Sequence, residues 1–226
     1  QTDRDLRQGT MATYNVLEAM RRRDVKKVVF ASSGTVYGET TKMCREGDLG
    51  NLPISLYGAS KLAGEALISA YVECFGLRGW IFRFGNVVGP RGTHGCMLDF
   101  LKKLKDNPQE LEVLGDGKQA KPYLHVDDCV AGMLHGFAHA RGPLNVFNLA
   151  PADTSTVAFI AKACVAASPS PKAKIRYTGG DRGWPGDVPR SRLAPGKLAE
   201  LGFAVQRSSD EAVTAAVAEL ARAVFG

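Results

Sequence analysis

Apolar positions along the chain switch between helical and strand spacing in a regular order. Met11, Tyr14, Leu17 and Met20, together with Val16, recur every three or four residues and predict a helix over 9–22. Lys27-Val-Val-Phe-Ala31 is a short apolar run behind a basic junction, the pattern of a strand buried in a parallel sheet. Between Tyr57 and about Phe75, Leu62, Ala63, Ala66, Leu67, Ala70, Tyr71 and Cys74 form a continuous apolar stripe, and Gly76 stands where a helix C-cap belongs. Trp80-Ile-Phe-Arg-Phe84 predicts the next strand. Strand, crossover helix, strand is the βαβ unit of a doubly wound α/β fold with a parallel sheet.

After Gly89-Pro-Arg-Gly92 the pattern changes. A helix is predicted near 97–105, then a strand at Leu111–Leu114, a polar turn at Asp116-Gly117 reading as a hairpin, and a strand at Tyr123–Val126. Asp127 and Asp128 precede a helix through about 140. Leu144–Leu149, a helix near 155–167 and a Gly/Pro-rich loop over 178–196 follow. Ser208-x-x-Glu211 is a capping box that opens a last helix carrying Val213, Val217, Leu220 and Val224. Residues 1–92 therefore read as part of a main sheet domain. Residues 93–226 read as a smaller C-terminal α/β part, with segments near 120–150 returning to the main sheet.

Composition narrows the class of function. The 226 residues are 45% hydrophobic and 23% charged, with a net charge of +6, as in ordinary globular chains able to bury a core. The positive excess is diffuse apart from Arg21-Arg-Arg23 and Lys26-Lys27, which sit at a helix end where cations suit the dipole. No nucleic-acid motif accompanies it, and an anionic small substrate suits it equally. Five scattered cysteines (44, 74, 96, 129, 164) without a Cys-x-x-Cys read as reduced thiols of a cytoplasmic protein. His135 and His139 have i,i+4 spacing but no third ligand near them, so no metal is expected. No apolar stretch reaches membrane-spanning length and no signal peptide opens the chain.

The candidate chemistry is one turn of helix. Tyr57 and Lys61 share a face, and an ammonium beside a phenol favours the phenolate, which predicts a tyrosine pKa below the ordinary value of about 10. Ser33, at the end of an upstream strand, can hydrogen-bond the substrate oxygen whose proton moves. Tyr-x-x-x-Lys alone is weak, because a tyrosine packed at a helix start with a solvated lysine looks the same. Here the pair opens a long helix, a serine-rich strand end lies upstream, and Arg83-Phe-Gly-Asn86 ends a strand downstream. Loops after parallel strands gather at the carboxyl edge of the sheet, where ligands bind.

Four segments occur in an order that resembles one family: Phe30-Ala-Ser-Ser-Gly-Thr-Val-Tyr-Gly38, Leu56-Tyr-Gly-Ala-Ser-Lys61, Arg83-Phe-Gly-Asn-Val-Val-Gly-Pro-Arg91, and Leu114-Gly-Asp-Gly-Lys-Gln119 through Tyr123-Leu-His-Val-Asp-Asp128. They are similar to the extended short-chain dehydrogenase/reductase family in its NAD-dependent epimerase/dehydratase branch, and most of all to the 4-epimerases of UDP-glucose and UDP-galactose. The resemblance implies NAD as cofactor and a UDP-sugar as substrate. Epimerisation at C4 would run through transient oxidation to a 4-keto sugar. It implies catalytic roles for Ser33, Tyr57 and Lys61, with Lys61 on the nicotinamide ribose and Phe84 and Gly85 at the nicotinamide end. Thr35, Asn86, Lys121, Arg182 and Asp187 would face the substrate. Gly34-Thr35 stands where dehydratases carry an Asp-Glu pair, which argues against elimination of water. UDP-glucuronate and UDP-N-acetylhexosamines are alternative substrates, and a non-catalytic fragment unable to hold NAD is the rival from another class.

Three departures qualify the resemblance. Lys121-Pro-Tyr123 replaces Arg-Asp-Tyr, keeping the charge but losing the bidentate fork to phosphate. Trp184 replaces the arginine of Arg-Pro-Gly-Asp, with Arg182 as an open candidate to compensate. No strand–Gly-x-x-Gly-x-x-Gly–helix precedes these motifs, and Gly115-x-Gly-x-x-Ala120 leads into a predicted strand rather than a helix N-terminus. The resemblance thus implies a Rossmann-like domain whose first βαβαβ half is absent from the sequence. These 226 residues alone are then expected not to turn over substrate, and the sheet edge near Val28 and Val29 is expected to lie open. By the same resemblance, the helices near 9–22 and 57–75 would form the contact of a homodimer.

Overall fold

The computed structural model describes residues 2–48, 51–183 and 188–226. Trp184 and Asp187 lie outside the described residues. A π-helical turn at Leu6–Met11 runs into α1 (Ala12–Arg22), so the first helix begins earlier than its apolar spacing indicates. β1 (Lys27–Ser33) leads through a 3-10 turn at Gly34–Tyr37 to α2 (Leu56–Phe75), β2 (Arg78–Phe84) and the short β3 (Asn86–Val88). α3 (Cys96–Asp106), β4 (Glu110–Val113), β5 (Ala120–Lys121), β6 (Tyr123–His125) and α4 (Val126–His139) follow. The chain then forms β7 (Leu144–Leu149), β8 (Ser155–Thr156), α5 (Val157–Ala167), β9 (Lys174–Tyr177), α6 (Gly196–Glu200) and α7 (Ser209–Phe225).

The main sheet is parallel, in the order β1-β2-β7, with Lys27 opposite Arg78 and Gly79 opposite Leu144. β2 is central and buried from Gly79 to Arg83, because both of its faces are covered. Ile81 packs with Leu17, Ile68 and Val72 beneath α1 and α2. Trp80 and Phe82 pack on the other side with Cys129, Phe147 and Leu198 from α4, β7 and α6. β1 pairs with β2 alone among the described strands, and its residues alternate, with Val29 exposed and Val28 and Phe30 partly buried. β7 joins this sheet after α4. A second core joins α3, α5 and α7 to β4 and β9, with Phe100, Leu101, Leu111, Ile160 and Val217 at its centre.

Two expectations about local structure are corrected. The Asp116-Gly117 turn exists, with the Lys118 N–H donating to Asp116 Oδ1 at 2.9 Å, but it does not close a hairpin. β4 pairs in parallel with β9 and β6 in parallel with β3, while β5 pairs antiparallel with β8. The apolar stripe of α2 is also split. Leu62, Ala63, Leu67 and Tyr71 face inward, whereas Ala66, Ala70 and Cys74 are exposed. Gly76 does end α2 in the left-handed region, at φ 66°, where a Cβ would be strained.

Candidate active site

The carboxyl ends of β1 and β2 and the first turn of α2 open onto one cleft of about 700 Å³. Ser55 caps α2 by accepting the Gly58 N–H at 3.1 Å. Gly58 lets the helix end approach the turn after β1, since a Cβ there would lie 2.9 Å from the Thr35 carbonyl oxygen. That close approach brings Tyr57 beside Ser33. Both side chains line the cleft, as do Thr35, Phe84, Gly85, Asn86 and Lys121.

Ser33 is oriented by its own turn. Its hydroxyl oxygen accepts from the Thr35 N–H at 3.2 Å and from Thr35 Oγ1 at 3.0 Å. A serine hydroxyl has two acceptor positions and one proton, so its donor is left for another group. The Tyr57 phenol lines the same cleft, and the nearby Ser33 hydroxyl draws its pKa downward. Burial outweighs it, and the phenol is raised above its ordinary value of 10.0. The expected lowering by Lys61 is therefore not found. Lys61 Nζ lies 5.6 Å from the Tyr57 ring centre and donates to the Ala31 carbonyl at 2.8 Å. Its charge is held beneath the ring, and burial lowers its own pKa.

Phe84 and Gly85 follow one another at the end of β2. Gly85 passes so close to the Pro122 carbonyl that a Cβ would lie 2.6 Å from it. Asn86 opens β3, and its N–H bonds the Pro122 carbonyl at 2.8 Å, which brings the Lys121-Pro-Tyr123 segment to the cleft wall. Arg182 does not line the cleft; its Nη2 contacts both carboxylate oxygens of Glu39 at 2.9 Å. Cys96, Met97, Ser191 and Leu220 complete the far wall. Their sequence positions carry no signal for this role, because helix α3, the segment after residue 187 and α7 reach the cleft only through tertiary packing.

The profile of the NAD dependent epimerase/dehydratase family matches residues 2–150. The fold superposes on a crystal structure of UDP-galactose 4-epimerase with a TM-score of 0.90 and 36% identity, covering 100% of this chain and 73% of that one. It superposes on the Thermus thermophilus UDP-glucose 4-epimerase in complex with NAD with a TM-score of 0.79 and 26% identity, covering 93% and 68%. GDP-mannose 3,5-epimerase 1 of Oryza sativa subsp. indica is 34% identical over 150 residues, 61% of this chain and 40% of that protein. The chain spans about two fifths of the length of the curated relatives it matches.

Proposed function

The chain belongs to the NAD dependent epimerase/dehydratase family, and from that premise we propose that it carries the proton-transfer site of a UDP-sugar 4-epimerase acting on UDP-glucose and UDP-galactose. The observation that supports this most is the meeting of Ser33 and Tyr57 at one cleft, with Lys61 held under the phenol ring. NAD, when bound, supplies reversible acceptance of a hydride from the sugar C4. The residues present suit its nicotinamide-ribose end. Lys61 spends one of its three N–H donors on Ala31, which leaves donors for a ribose diol, and Phe84 and Gly85 line the cleft that Ser33 and Tyr57 line.

Tyr57 takes the proton of the sugar 4-hydroxyl and returns it to the same oxygen when C4 of the 4-keto sugar is reduced on its other face. The Ser33 hydroxyl, held by Thr35, keeps that oxygen in line. Asn86 and Lys121 face the diphosphate, where lysine offers charge without a fork. Arg182 would reach the substrate only by leaving Glu39. Turning the 4-keto sugar over before the hydride comes back inverts C4 with no net redox change.

In a protein joining these residues to a dinucleotide-binding turn, UDP-glucose and UDP-galactose interconvert. Tyr57→Phe then lowers turnover by orders of magnitude, because phenylalanine moves no proton. Unchanged turnover in Tyr57→Phe would sink the reading. Preference for UDP-glucuronate or a UDP-N-acetylhexosamine over UDP-glucose would redirect the substrate and leave the chemistry standing. The 226-residue chain alone is expected to bind NAD weakly by calorimetry, since Lys61, Phe84 and Gly85 would meet only its nicotinamide-ribose end; micromolar affinity would reveal a further phosphate site. Exposed Met11, Tyr14 and Val16 near and on α1, with exposed Ala66 and Ala70 on α2, support an isologous homodimer through these helices. A light-scattering mass of one chain at micromolar concentration counts against it. Five free thiols accord with a cytoplasmic setting.

A further inference from the structure

The face of α2 that carries Tyr57 and Lys61 continues inward to a carboxylate. Glu65 stands four residues beyond Lys61, on the same stripe of the helix, and is 6% exposed. Its partner is Arg83 of β2, 2% exposed. Arg83 Nε donates to Glu65 Oε1 at 3.0 Å and Nη2 donates to Oε2 at 2.6 Å, a fork-to-fork pair. Ser32 Oγ donates to Glu65 Oε1 at 2.5 Å. Arg83 Nη1 donates to the Tyr37 hydroxyl at 2.8 Å and to the Glu46 carbonyl at 2.9 Å. The Tyr37 hydroxyl donates in turn to Asn148 Oδ1 at 2.7 Å.

Three members of this network adjoin parts of the cleft. Ser32 precedes Ser33, Arg83 precedes Phe84-Gly85-Asn86, and Tyr37 closes the turn that carries Thr35. Ser32 and Arg83 are register partners across β1 and β2. One ion pair thus joins the ends of both strands to the helix that bears the phenol. Burial alone does not call for charge here, because apolar side chains of like volume serve a core as well or better. What the planar guanidinium adds is direction: its fork accepts one orientation of α2 against β2.

We propose that Glu65 and Arg83 are positioning residues that hold Tyr57 in hydrogen-bonding register with Ser33. The proposal rests on the epimerase reading in taking Ser33 and Tyr57 as the working pair, and its test needs no turnover. Tyrosine labelled with carbon-13 at Cζ reports each phenol's titration by NMR, with the Tyr57 signal identified by its loss in Tyr57→Phe. In the parent chain, Ser33→Ala raises the Tyr57 pKa, because the donor to the phenolate is gone. In Arg83→Lys, which keeps the charge and loses the fork, the same Ser33→Ala step moves Tyr57 by less than half as much. Glu65→Asp keeps the charge and withdraws the carboxylate from the Arg83 fork, so it yields the same diminished response should Arg83→Lys not fold. A pair that only stabilises the core lowers the melting temperature and leaves the full Ser33 effect on Tyr57; that result overturns the proposal. If Ser33→Ala leaves Tyr57 unmoved in the parent, the Ser33–Tyr57 reading fails and the positioning role falls with it.

Discussion

Beneath Ser33 and Tyr57 the interior is polar, whereas between α3, α5 and α7 it is apolar. The first region buries Glu65, Arg83, Tyr37 and Asn148, and each has named hydrogen-bond partners. The second buries Phe100, Leu101, Leu111, Ile160 and Val217, whose side chains offer no directed bond. Apolar packing rewards any arrangement that excludes water and fills the space. Directed bonds reward one arrangement and penalise the others when a partner is left unmatched. The polar interior lies where relative placement of two strand ends and a helix matters, and the apolar one lies where bulk stability suffices.

The largest expected effect comes from splitting the ion pair. Arg83→Met leaves the Glu65 carboxylate buried without its counter-charge and is expected to cost about 3–5 kcal/mol in urea denaturation. Glu65→Leu combined with Arg83→Met removes both charges and is expected to recover most of that loss. A double variant as unstable as the single one would mean that the network supplies stability rather than direction, and the contrast between the regions would fail.

The apolar side should respond without such recovery. Leu111 is 0% exposed on β4. Leu111→Ala is expected to cost about 2–5 kcal/mol through lost burial and the cavity left behind. It should leave the Tyr57 titration unchanged, since Leu111 does not line the cleft. A shifted Tyr57 titration in this variant would show that the two regions are coupled.

The regions should also differ in alkali. Burial raises the Tyr37 phenol from 10.0 to about 12 in the fold. A folded-state pKa above the unfolded value stabilises the protein fully below about pH 10, and that contribution is lost as pH rises through about 12. Tyr37→Phe is therefore expected to make stability fall less steeply over this window, by the equivalent of one proton, in denaturation curves taken at stepped pH. An unchanged slope would mean that the phenol titrates as in the unfolded chain.

Sequence pattern reached the elements whose signals are local. The helix expected over 57–75 is Leu56–Phe75, and its Gly76 cap and the Ser208–Glu211 capping box are both present. Strand β9 carried no such signal. Lys174-Ile-Arg-Tyr177 is mostly exposed, and it is a strand because β4 offers a parallel edge where Arg176 meets Glu110 and Glu112. The Asp116-Gly117 turn was legible as a turn, but which strands it served was a matter of long-range pairing. In the site, Tyr57, Lys61 and Ser33 were legible as neighbours through their motifs. The balance of burial against charge at the phenol depends on depth and distance, which spacing does not encode. Ser191 and Leu220 reach the cleft from elements far along the chain, beyond the range of any local pattern.

The smallest expected effect tests whether the apolar region has a directed component of its own, at the start of α7. Ser208 Oγ accepts the Glu211 N–H at 3.2 Å, and Glu211 Oε2 accepts from the Ser208 N–H at 2.8 Å. That backbone bond holds the Glu211 carboxyl below its ordinary value, so its contribution is present above about pH 4.5 and fades on acidification. Ser208→Ala removes the acceptor for one helix-end N–H and is expected to cost about 1 kcal/mol. The loss should stay local. Val213, Ala216 and Val217 remain buried against α3 and α5, and Leu220, which reaches the cleft, sits about three turns along the helix. Amide exchange should therefore quicken in the first turn of α7 while the Tyr57 titration holds. If the cap variant instead moved Tyr57, the apolar region would be transmitting orientation to the site, and the division between a directing interior and a stabilising one would have to be redrawn around α7.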